Sequence, residues 1–314
     1  MTGYLSGGDS TLTKPKGTKM EGVGHHDSST ANAWVRGHSL VQGLYVLLGR
    51  RCPLTPQLYQ QKSVCAARTV PFRSKRDLRE EHIRTFAPVV GTRTPVLRDS
   101  WYGAKRLWQA ARDRDFLITT GLKANRSLRV PDPDAERGWR WQPFADDAAS
   151  LTADDVTLMD WPRQVYVHVV QTRVRSLYRC QRVIARPTLD APASATRYGA
   201  SSDLSAAPAT LLGPIAARWA VEVFFSDTKD VLGLDPYHLM TTTAIVRFWT
   251  LVLAAYTYIE EERARLPQEQ QRPVPMGEAC RALQHRHYRH LLGWIEHELH
   301  AGADADTLYE RLVA

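Results

Sequence analysis

The sequence contains no run of about 18 apolar residues, so it predicts no membrane-spanning helix. Its opening stretch, MTGYLSGGDSTLTKPKG, has no apolar segment of the kind that a secretory signal requires. The four cysteines, at positions 52, 65, 180 and 280, form no C-x-x-C pair and no Cys/His spacing typical of zinc. These absences argue against a disulfide framework and a zinc site, and they favour a reducing cytoplasm.

Acidic residues are in the minority. The chain has 41 Lys and Arg against 33 Asp and Glu, which gives a formal net charge of +8. The arginines are spread along the chain instead of being collected in one tail. Because Lys and Arg that face phosphates release counterions, this surplus favours a polyanionic partner, although many basic proteins bind no nucleic acid.

The first part of the chain has the pattern of an α/β core. Its 314 residues suffice for one large domain with an added part, or for two domains. Residues 74–88 have the spacing of an amphipathic helix, and residues 101–114 predict a second helix between short strands at 94–102 and 115–122. Strands that alternate with helices are typical of an α/β core.

From about residue 125 the pattern changes. Residues 164–187 are rich in β-branched side chains with a period of two, which predicts an antiparallel β insertion. RYGASSDL, at 197–204, predicts a short strand that returns to the core. Further helices are predicted over 214–232, 241–265 and 277–299, with a Pro- and Gln-rich linker at 267–275.

The stretch IAARWAVEVFFSDTKDVLGLD places Arg218, Glu222 and Lys229 along one stripe of a predicted helix. At 3.6 residues per turn, offsets of four and eleven residues return to nearly the same direction. The rest of this helix is strongly apolar. Its carboxylate is therefore either paired with Arg218 and inert, or held in place for chemistry, and the residues alone leave both interpretations open.

The spacing of these three residues resembles the signature helix of the DDE-type transposases of bacterial insertion sequences, Y-x2-R-x3-E-x6-K, with Ile215 at the tyrosine position. The flanking RW and LGLD are also typical of that family. VLRDSWY resembles the family's second-aspartate segment and contains Asp99. GDSTLTKPKG resembles the region of the first catalytic aspartate, with Asp9 present and Gly8 in place of an adjacent acid. The motifs follow the family order over roughly residues 8–260.

The resemblance implies an α/β fold with an RNase H-like core. This core is a mixed β-sheet flanked by helices, with an antiparallel β insertion before the helix that carries the catalytic glutamate, and with a helical C-terminal part. The implied divisions are 1–124 for the first part of the core, 125–196 for the β-rich insertion, 197–265 for the second part of the core and 266–314 for the C-terminal helical segment.

The resemblance also implies metal-dependent cleavage and strand transfer of DNA at insertion-sequence ends. Such chemistry uses two Mg²⁺ or Mn²⁺ ions, and carboxylate oxygens are the ligands that these hard cations prefer. The implied partners are transposon-end and target DNA, bound by a homodimer in the bacterial cytoplasm near the nucleoid. The implied catalytic and metal-binding residues are Asp9, Asp99 and Glu222, and the implied DNA-binding residues are Arg218, Lys229, Lys14, Lys16, Lys19, His38 and Arg126.

Each of the three acids also has an ordinary structural interpretation. Asp9 in GGDST fits an Asx-turn or a helix cap, Asp99 fits the N-cap of the helix that follows it, and Glu222 fits an inert partner of Arg218. Two other functions therefore stay open. One is a catalytically impaired, DNA-binding remnant of a transposase, and the other is a basic, non-enzymatic scaffold that binds RNA or protein.

The segment before Asp9 is poor in strand-forming residues. It contains Gly7 and Gly8, so we expect a weakened first core strand and a poorly positioned Asp9. Full-length members of the family have an N-terminal helical region, whereas this chain starts almost at the first aspartate. The resemblance therefore predicts either a truncated or decayed copy or a start site inside a longer reading frame, with weak or absent transposition in cells. It also predicts a loop at residues 25–27.

Overall fold

The computed structural model describes residues 2–28, 31–92, 94–98, 104–161, 163–217, 219–266 and 274–313. Its architecture is mixed α/β, as predicted, with one large mixed sheet and helices on both faces. The strands are β1 (Gly3–Thr13), β2 (Gly24–Ser28), β3 (Ala33–Leu47), β4 (Arg50–Pro53), β5 (Gln57–Tyr59), β6 (Val96–Arg98), β7 (Ile118–Leu122), β8 (Ser127–Pro131), β9 (Trp139–Pro143), β10 (Thr157–Trp161), β11 (Arg163–Arg173), β12 (Arg179–Arg186) and β13 (Arg197–Ser201). The helices are α1 (Lys62–Ala67), α2 (Lys75–Thr85), α3 (Lys105–Arg112), α4 (Phe144–Ala149), α5 (Pro208–Ala217), α6 (Ala220–Asp230), α7 (Thr242–Arg265), α8 (Met276–His300) and α9 (Ala305–Val313).

The first core strand is intact, so the expectation of a weakened strand is wrong. β1 is 11 residues long and pairs with β3 along its whole length. Gly7 is required by packing, because a Cβ at this position would overlap the guanidinium of the fully buried Arg79. The strand forms because its neighbours hold it in the sheet, despite its low intrinsic propensity.

The central strands follow the order β2-β3-β1-β6-β7. β1 runs antiparallel to β3 and parallel to β6, and β6 runs parallel to β7. Helix α2 precedes β6, and α3 connects β6 to β7, because parallel neighbours need a crossover connection. The carboxyl ends of β1 and β6 therefore lie toward the same edge of the sheet.

The structure confirms the helix predicted over residues 74–88. Ser74 Oγ accepts a hydrogen bond from the N–H of Asp77 at 3.2 Å, and Asp77 Oδ2 accepts one from the N–H of Ser74 at 2.7 Å. This reciprocal capping box satisfies two backbone donors at the start of α2. Leu78 and Ile83 are buried, and Ile83 shares a core cluster with Leu5 of β1.

Residues 125–196 are rich in β-structure, as predicted, and most of their strands extend the core sheet. β12 pairs antiparallel with β13, which in turn pairs antiparallel with β7. Strands β8 and β9 form a separate two-stranded sheet. Cys180 and Ile184 of β12 belong to the same hydrophobic cluster as Leu5 of β1. The insertion and the core therefore share one interior.

The single helix predicted over residues 214–232 is wrong, because α5 ends at Ala217 and α6 begins at Ala220. The buried faces of the two helices belong to different clusters. Leu212 of α5 shares a cluster with β11 and β12, whereas Phe224 of α6 packs with α7.

α7 and α8 match the helices predicted over 241–265 and 277–299. By length and composition α7 is also apolar enough to cross a membrane. Its Trp249 and Tyr256 are nevertheless fully buried in the same cluster as α6, as in a helix that packs against a protein core. Most of the predicted linker at 267–275 lies outside the described residues.

Candidate active site

Side chains of β1 alternate between two faces of the sheet, and each face has its own core cluster. Leu5 shares a cluster with Ile83 of α2 and with residues of α3. Leu12 shares another cluster with Val221 of α6 and with residues of α7. Odd-numbered residues of β1 therefore face α2, and even-numbered residues face α6.

Asp9 follows this alternation, and its carboxylate lies on the α2 face. Asp9 Oδ2 forms an ion pair with Nζ of Lys75, the first residue of α2. The side chain of Asp9 is 25% exposed and that of Lys75 is 28% exposed. Nζ of Lys75 also lies 5.4 Å from the centroid of the Tyr59 ring, within the range of a cation–π attraction.

Lys75 belongs to no motif that the sequence identifies. One signal is present in the sequence, since Lys75 directly follows the helix cap Ser74, and the N-terminus of a helix disfavours positive charge. This position does not identify a partner in the sequence, because the first turn of the helix also contains Asp77. Only the fold shows that Lys75 pairs with Asp9, 66 residues away in sequence.

Glu222 lies in the first turn of α6 and is exposed to solvent. Its neighbour Val221 packs toward β1, and a Cβ added at Gly8 would lie 3.6 Å from Val221 Cγ1. α6 therefore covers the face of β1 opposite to Asp9. In the part of the chain that the structure describes, the side chain of Glu222 has no hydrogen bond or ion pair.

The side chains of Asp9 and Glu222 therefore lie on opposite faces of the sheet. They can approach each other only where the sheet opens. Among the described residues, β1 and β6 pair at one position, Leu5 opposite Val96. The residues that directly follow Arg98 lie outside the described residues, so a convergence of acids from the two faces stays a prediction.

Two predicted site residues, Asp99 and Arg218, lie outside the described residues. In sequence, Asp99 directly follows the last residue of β6, and Arg218 falls between α5 and α6. The pairing of Arg218 with Glu222 therefore stays a prediction, and so does the convergence of three acids.

Lys14 and His38, which were expected to contact DNA, are internal structural residues instead. His38 is fully buried, and its ring nitrogens form hydrogen bonds of 2.8 Å with the Tyr237 hydroxyl and the Glu21 carbonyl oxygen. Lys14 is 8% exposed and donates to the carbonyl oxygen of Asp235, with Nζ 3.8 Å from the Tyr237 ring centroid. The segment after α6 contacts both side chains, so both are engaged inside the protein, and their predicted contacts with DNA stay predictions.

Lys229 connects α6 to the end of β1. Its Nζ donates to the carbonyl oxygen of Thr11 at 3.4 Å and lies 3.9 Å from Asp235 Oδ2. The side chain is only 22% exposed. Lys229 therefore helps to fix α6 against β1, and its predicted contact with a DNA phosphate stays a prediction.

The remaining predicted DNA contacts are at the surface. Lys16 and Lys19 are exposed and line a pocket of about 560 Å³ between the segments that follow β1 and α6. Arg126 is partly buried in the turn before β8, and its backbone N–H donates to the Lys123 carbonyl oxygen at 3.0 Å. Of these three cations, Lys16 and Lys19 are the more accessible to a polyanion.

His26 is buried in β2, so the loop predicted at residues 25–27 is wrong. The strand forms because residues 24–28 pair antiparallel with β3, and backbone pairing overrides the weak strand preference of GHHDS. Burial and, to a smaller extent, the positive charge of Lys75 lower the pKa of His26 to about 4, whereas the negative charge of Asp9 opposes the shift.

This buried histidine predicts a loss of stability in acid. The pKa of His26 is lower in the folded state than its ordinary 6.5, so the unfolded chain takes up the proton first as the pH falls. Between pH 6.5 and about 4 we expect a loss of about 3 kcal/mol of unfolding free energy from this residue. Urea unfolding across this range should show a shallower pH dependence for His26→Gln. The exposed His25→Gln is the control, and equal slopes for wild type and His26→Gln would contradict the assignment.

Two of the three predicted metal ligands, Asp9 and Glu222, are described, and they lie on opposite faces of the sheet. Asp9 and Glu222 offer carboxylate oxygens, which Mg²⁺ prefers, and Mg²⁺ usually keeps several water ligands. The ion pair with Lys75 shows that Asp9 attracts a cation. Within the described ranges no group of three His, Cys, Asp or Glu side chains is arranged to hold a metal ion. A complete site would therefore draw on Asp99.

Comparisons with protein-family models and with curated proteins give no match to this chain. The resemblance to DDE transposases rests on the three sequence motifs. The function that it implies is accordingly a hypothesis, to be judged by the arrangement of the acids and by experiment.

Proposed function

We propose that this chain is a DDE-type transposase that cleaves DNA and joins its strands at insertion-sequence ends. The order of the central strands carries the proposal. Asp9 lies on β1, Asp99 directly follows β6 in sequence, and β1 and β6 are parallel neighbours. An RNase H-like core needs its first two acids on adjacent parallel strands, and this topology supports such a core.

In the proposed reaction, a water or 3′-hydroxyl oxygen attacks a DNA phosphorus in line, and the bond to the leaving oxygen breaks. Two Mg²⁺ or Mn²⁺ ions, when bound, supply activation of the attacking oxygen and stabilisation of the leaving one. Asp9, Asp99 and Glu222 are the residues that would hold them. Glu222 suits this role because it is exposed and without a partner among the described residues.

Basic side chains supply the proposed DNA contacts. Lys16 and Lys19 are exposed near the end of β1, and the whole chain carries a net charge of +8. Such side chains bind the phosphate backbone irrespective of sequence and fix the register of the duplex. Arg218 and Lys229 are proposed to bind phosphates beside Glu222. A homodimer assembled on two DNA ends, in the cytoplasm, completes the proposal.

The proposal is tested with purified protein and supercoiled plasmid DNA in the presence of Mn²⁺ or Mg²⁺. We expect conversion of the plasmid to nicked circles, and we expect EDTA to prevent it. Higher salt should also reduce nicking, because it weakens phosphate contacts. Intact DNA binding without nicking under either ion would contradict the enzymatic proposal.

A catalytically impaired DNA-binding relative is the second candidate. It is favoured by the ion pair of Asp9 with Lys75, which neutralises the first acid on the face opposite to α6. This candidate predicts salt-sensitive binding to duplex DNA without cleavage. Failure to bind DNA at moderate salt would reject both candidates and leave a basic scaffold for RNA or protein.

A further inference from the structure

We propose that an exposed apolar stripe on α8 is the surface on which a second copy of this chain docks, with the two α8 helices antiparallel across a two-fold axis. The stripe consists of Tyr288, Leu292, Ile295 and Leu299. The contact is made by the protein alone, so it needs neither DNA nor a metal ion. It can therefore hold or fail independently of the proposed cleavage of DNA.

Only the first part of α8 packs against the rest of the protein. Met276 and Ala279 are buried, and they belong to the hydrophobic cluster that α6 and α7 share. Arg286 adds an ion pair with Glu262 of α7, with 2.6 Å between nitrogen and oxygen. From residue 287 to its end at His300, α8 is fully described and contains no buried residue. Its second half therefore presents its side chains to solvent.

The stripe runs along this second half with a spacing of four, three and four residues. Tyr288, Leu292 and Leu299 are 59%, 65% and 52% exposed, and Ile295, between the two leucines, is half-buried. At 3.6 residues per turn, the four positions fall within about 60° of arc, on a side turned about 130° from Met276. The same spacing forms the seam through which helices of two chains pair, and contiguous exposed apolar side chains mark interaction surfaces.

Helix α9 packs on a different side of α8. Leu308 of α9 is buried, and Arg311 of α9 forms an ion pair with Glu298. In helical projection, Glu298 lies about 90° from the centre of the stripe. The high exposure of Leu292 agrees with this placement. The stripe is therefore left open by the two helices that contact α8.

The charges along one border of the stripe favour a second copy in the antiparallel orientation. Arg289 and Glu296 are seven residues apart on this border, both are exposed, and neither side chain has an ion pair with a described residue. In an antiparallel pair, equivalent borders face each other, so Arg289 of one copy meets Glu296 of the second copy. Two-fold symmetry makes this contact twice. In a parallel pair the border would face Gln284 and Leu291, which carry no opposite charge.

The apolar side chains match in the same arrangement. A two-fold axis between residues 293 and 294 places Leu292 opposite Ile295 of the second copy, and Tyr288 opposite Leu299 of the second copy. The stripe spans only about 17 Å of helix, so the contact is small. Small interfaces are weak and reversible. We therefore expect a dimer with a dissociation constant on the order of 10 μM.

Sedimentation equilibrium of the full chain without DNA tests the surface. From about 1 to 100 μM, wild type should pass reversibly from monomer to dimer. Leu292→Glu should raise the dissociation constant at least about tenfold, because each copy then buries a carboxylate in the seam. The control, Leu251→Glu, makes the same change at a leucine of α7 that is 70% exposed, and it should leave the constant unchanged.

Two outcomes of this measurement would overturn the proposal. One is a wild-type protein that stays monomeric over the whole range, whatever other protein or lipid surface the stripe then binds. The other is an equal loss of dimer in Leu292→Glu and Leu251→Glu, which would place the contact away from the stripe. Thermal unfolding of each variant verifies that the fold is retained.

A charge exchange tests the orientation. Arg289→Glu alone, or Glu296→Arg alone, should weaken the dimer several-fold, because each puts like charges opposite each other on both sides of the axis. The double variant Arg289→Glu/Glu296→Arg should recover the wild-type dissociation constant, because the exchanged charges attract again. A double variant as weak as the single ones would rule out the antiparallel pair.

Dimerisation and DNA cleavage are measured separately, so each can fail alone. If wild type nicks plasmid DNA but stays monomeric without DNA, the α8 interface is wrong and the proposed enzyme stands. If wild type dimerises through the stripe but neither binds nor nicks DNA, the interface stands and the transposase proposal fails.

Discussion

Glu222→Gln is expected to abolish metal-dependent nicking of DNA, lowering its rate by at least on the order of 10²-fold. The amide keeps the shape of the side chain but loses the negative charge that a divalent cation requires. The side chain of Glu222 is exposed and has no hydrogen bond or ion pair to the described residues, so its replacement should leave the fold unchanged. A loss of nicking by Glu222→Gln would then show that the reaction needs this carboxylate, and not that the protein has unfolded.

Asp230→Asn is the matched control for this variant. Asp230 lies at the end of the same helix, is exposed, and accepts a hydrogen bond from Ser226 Oγ at 2.9 Å. It should nick plasmid DNA at the wild-type rate, whereas Asp99→Asn should lose activity as Glu222→Gln does. Nicking and DNA binding are measured on the same preparations. Wild-type nicking by Glu222→Gln would remove this acid from the proposed mechanism.

Replacement by alanine of either of two neighbouring glycines in β1 is expected to change the stability of the protein by very different amounts. Gly7→Ala should destabilise the protein by at least about 3 kcal/mol, because the new Cβ overlaps the Arg79 guanidinium and the Gln42 carbonyl oxygen. Arg79 is fully buried and Gln42 contributes backbone from the paired strand β3, so neither yields easily. Gly8→Ala should change stability by less than about 1 kcal/mol, because its Cβ meets Phe225 and Val221 at ordinary contact distance, 3.6 Å.

The comparison is made by urea unfolding followed by circular dichroism. Gly8→Ala serves as the control, since both variants add one methyl group to adjacent positions of one strand. We expect a soluble, cooperatively folding Gly8→Ala protein and a Gly7→Ala protein with a much lower unfolding midpoint. Similar midpoints would mean that the close packing of α2 on β1 is wrong, and with it the placement of Lys75.

Local patterns were sufficient to predict much of the core. The helix over residues 74–88 carries its own N-cap and an apolar stripe, and the strand at 197–204 is flanked by turn residues, so short-range signals decide both elements. The same signals predicted an α/β architecture with a β-rich insertion. These features depend on residues a few positions apart, which a sequence displays directly.

Tertiary packing determined the features that the sequence alone predicted wrongly. Residues 3–13 have a weak strand preference, yet hydrogen bonds to β3 and the close approach of α2 make them a central strand. The stretch at 214–232 has a continuous helical pattern, yet α5 and α6 serve separate hydrophobic clusters. Lys14 and His38 resemble surface cations in sequence, yet the segment after α6 buries them. In each case the deciding partner is distant in the chain.

The sequence by itself determined which acids are candidates for catalysis, because Asp9, Asp99 and Glu222 are recognised by their neighbours in sequence. Only the tertiary structure decided how the two described acids are placed. Strand alternation puts Asp9 on the α2 face with Lys75 as its counter-ion, and helix packing puts Glu222 on the other face. A motif records residue types and spacings, whereas the face on which a side chain emerges depends on the helices that cover the sheet.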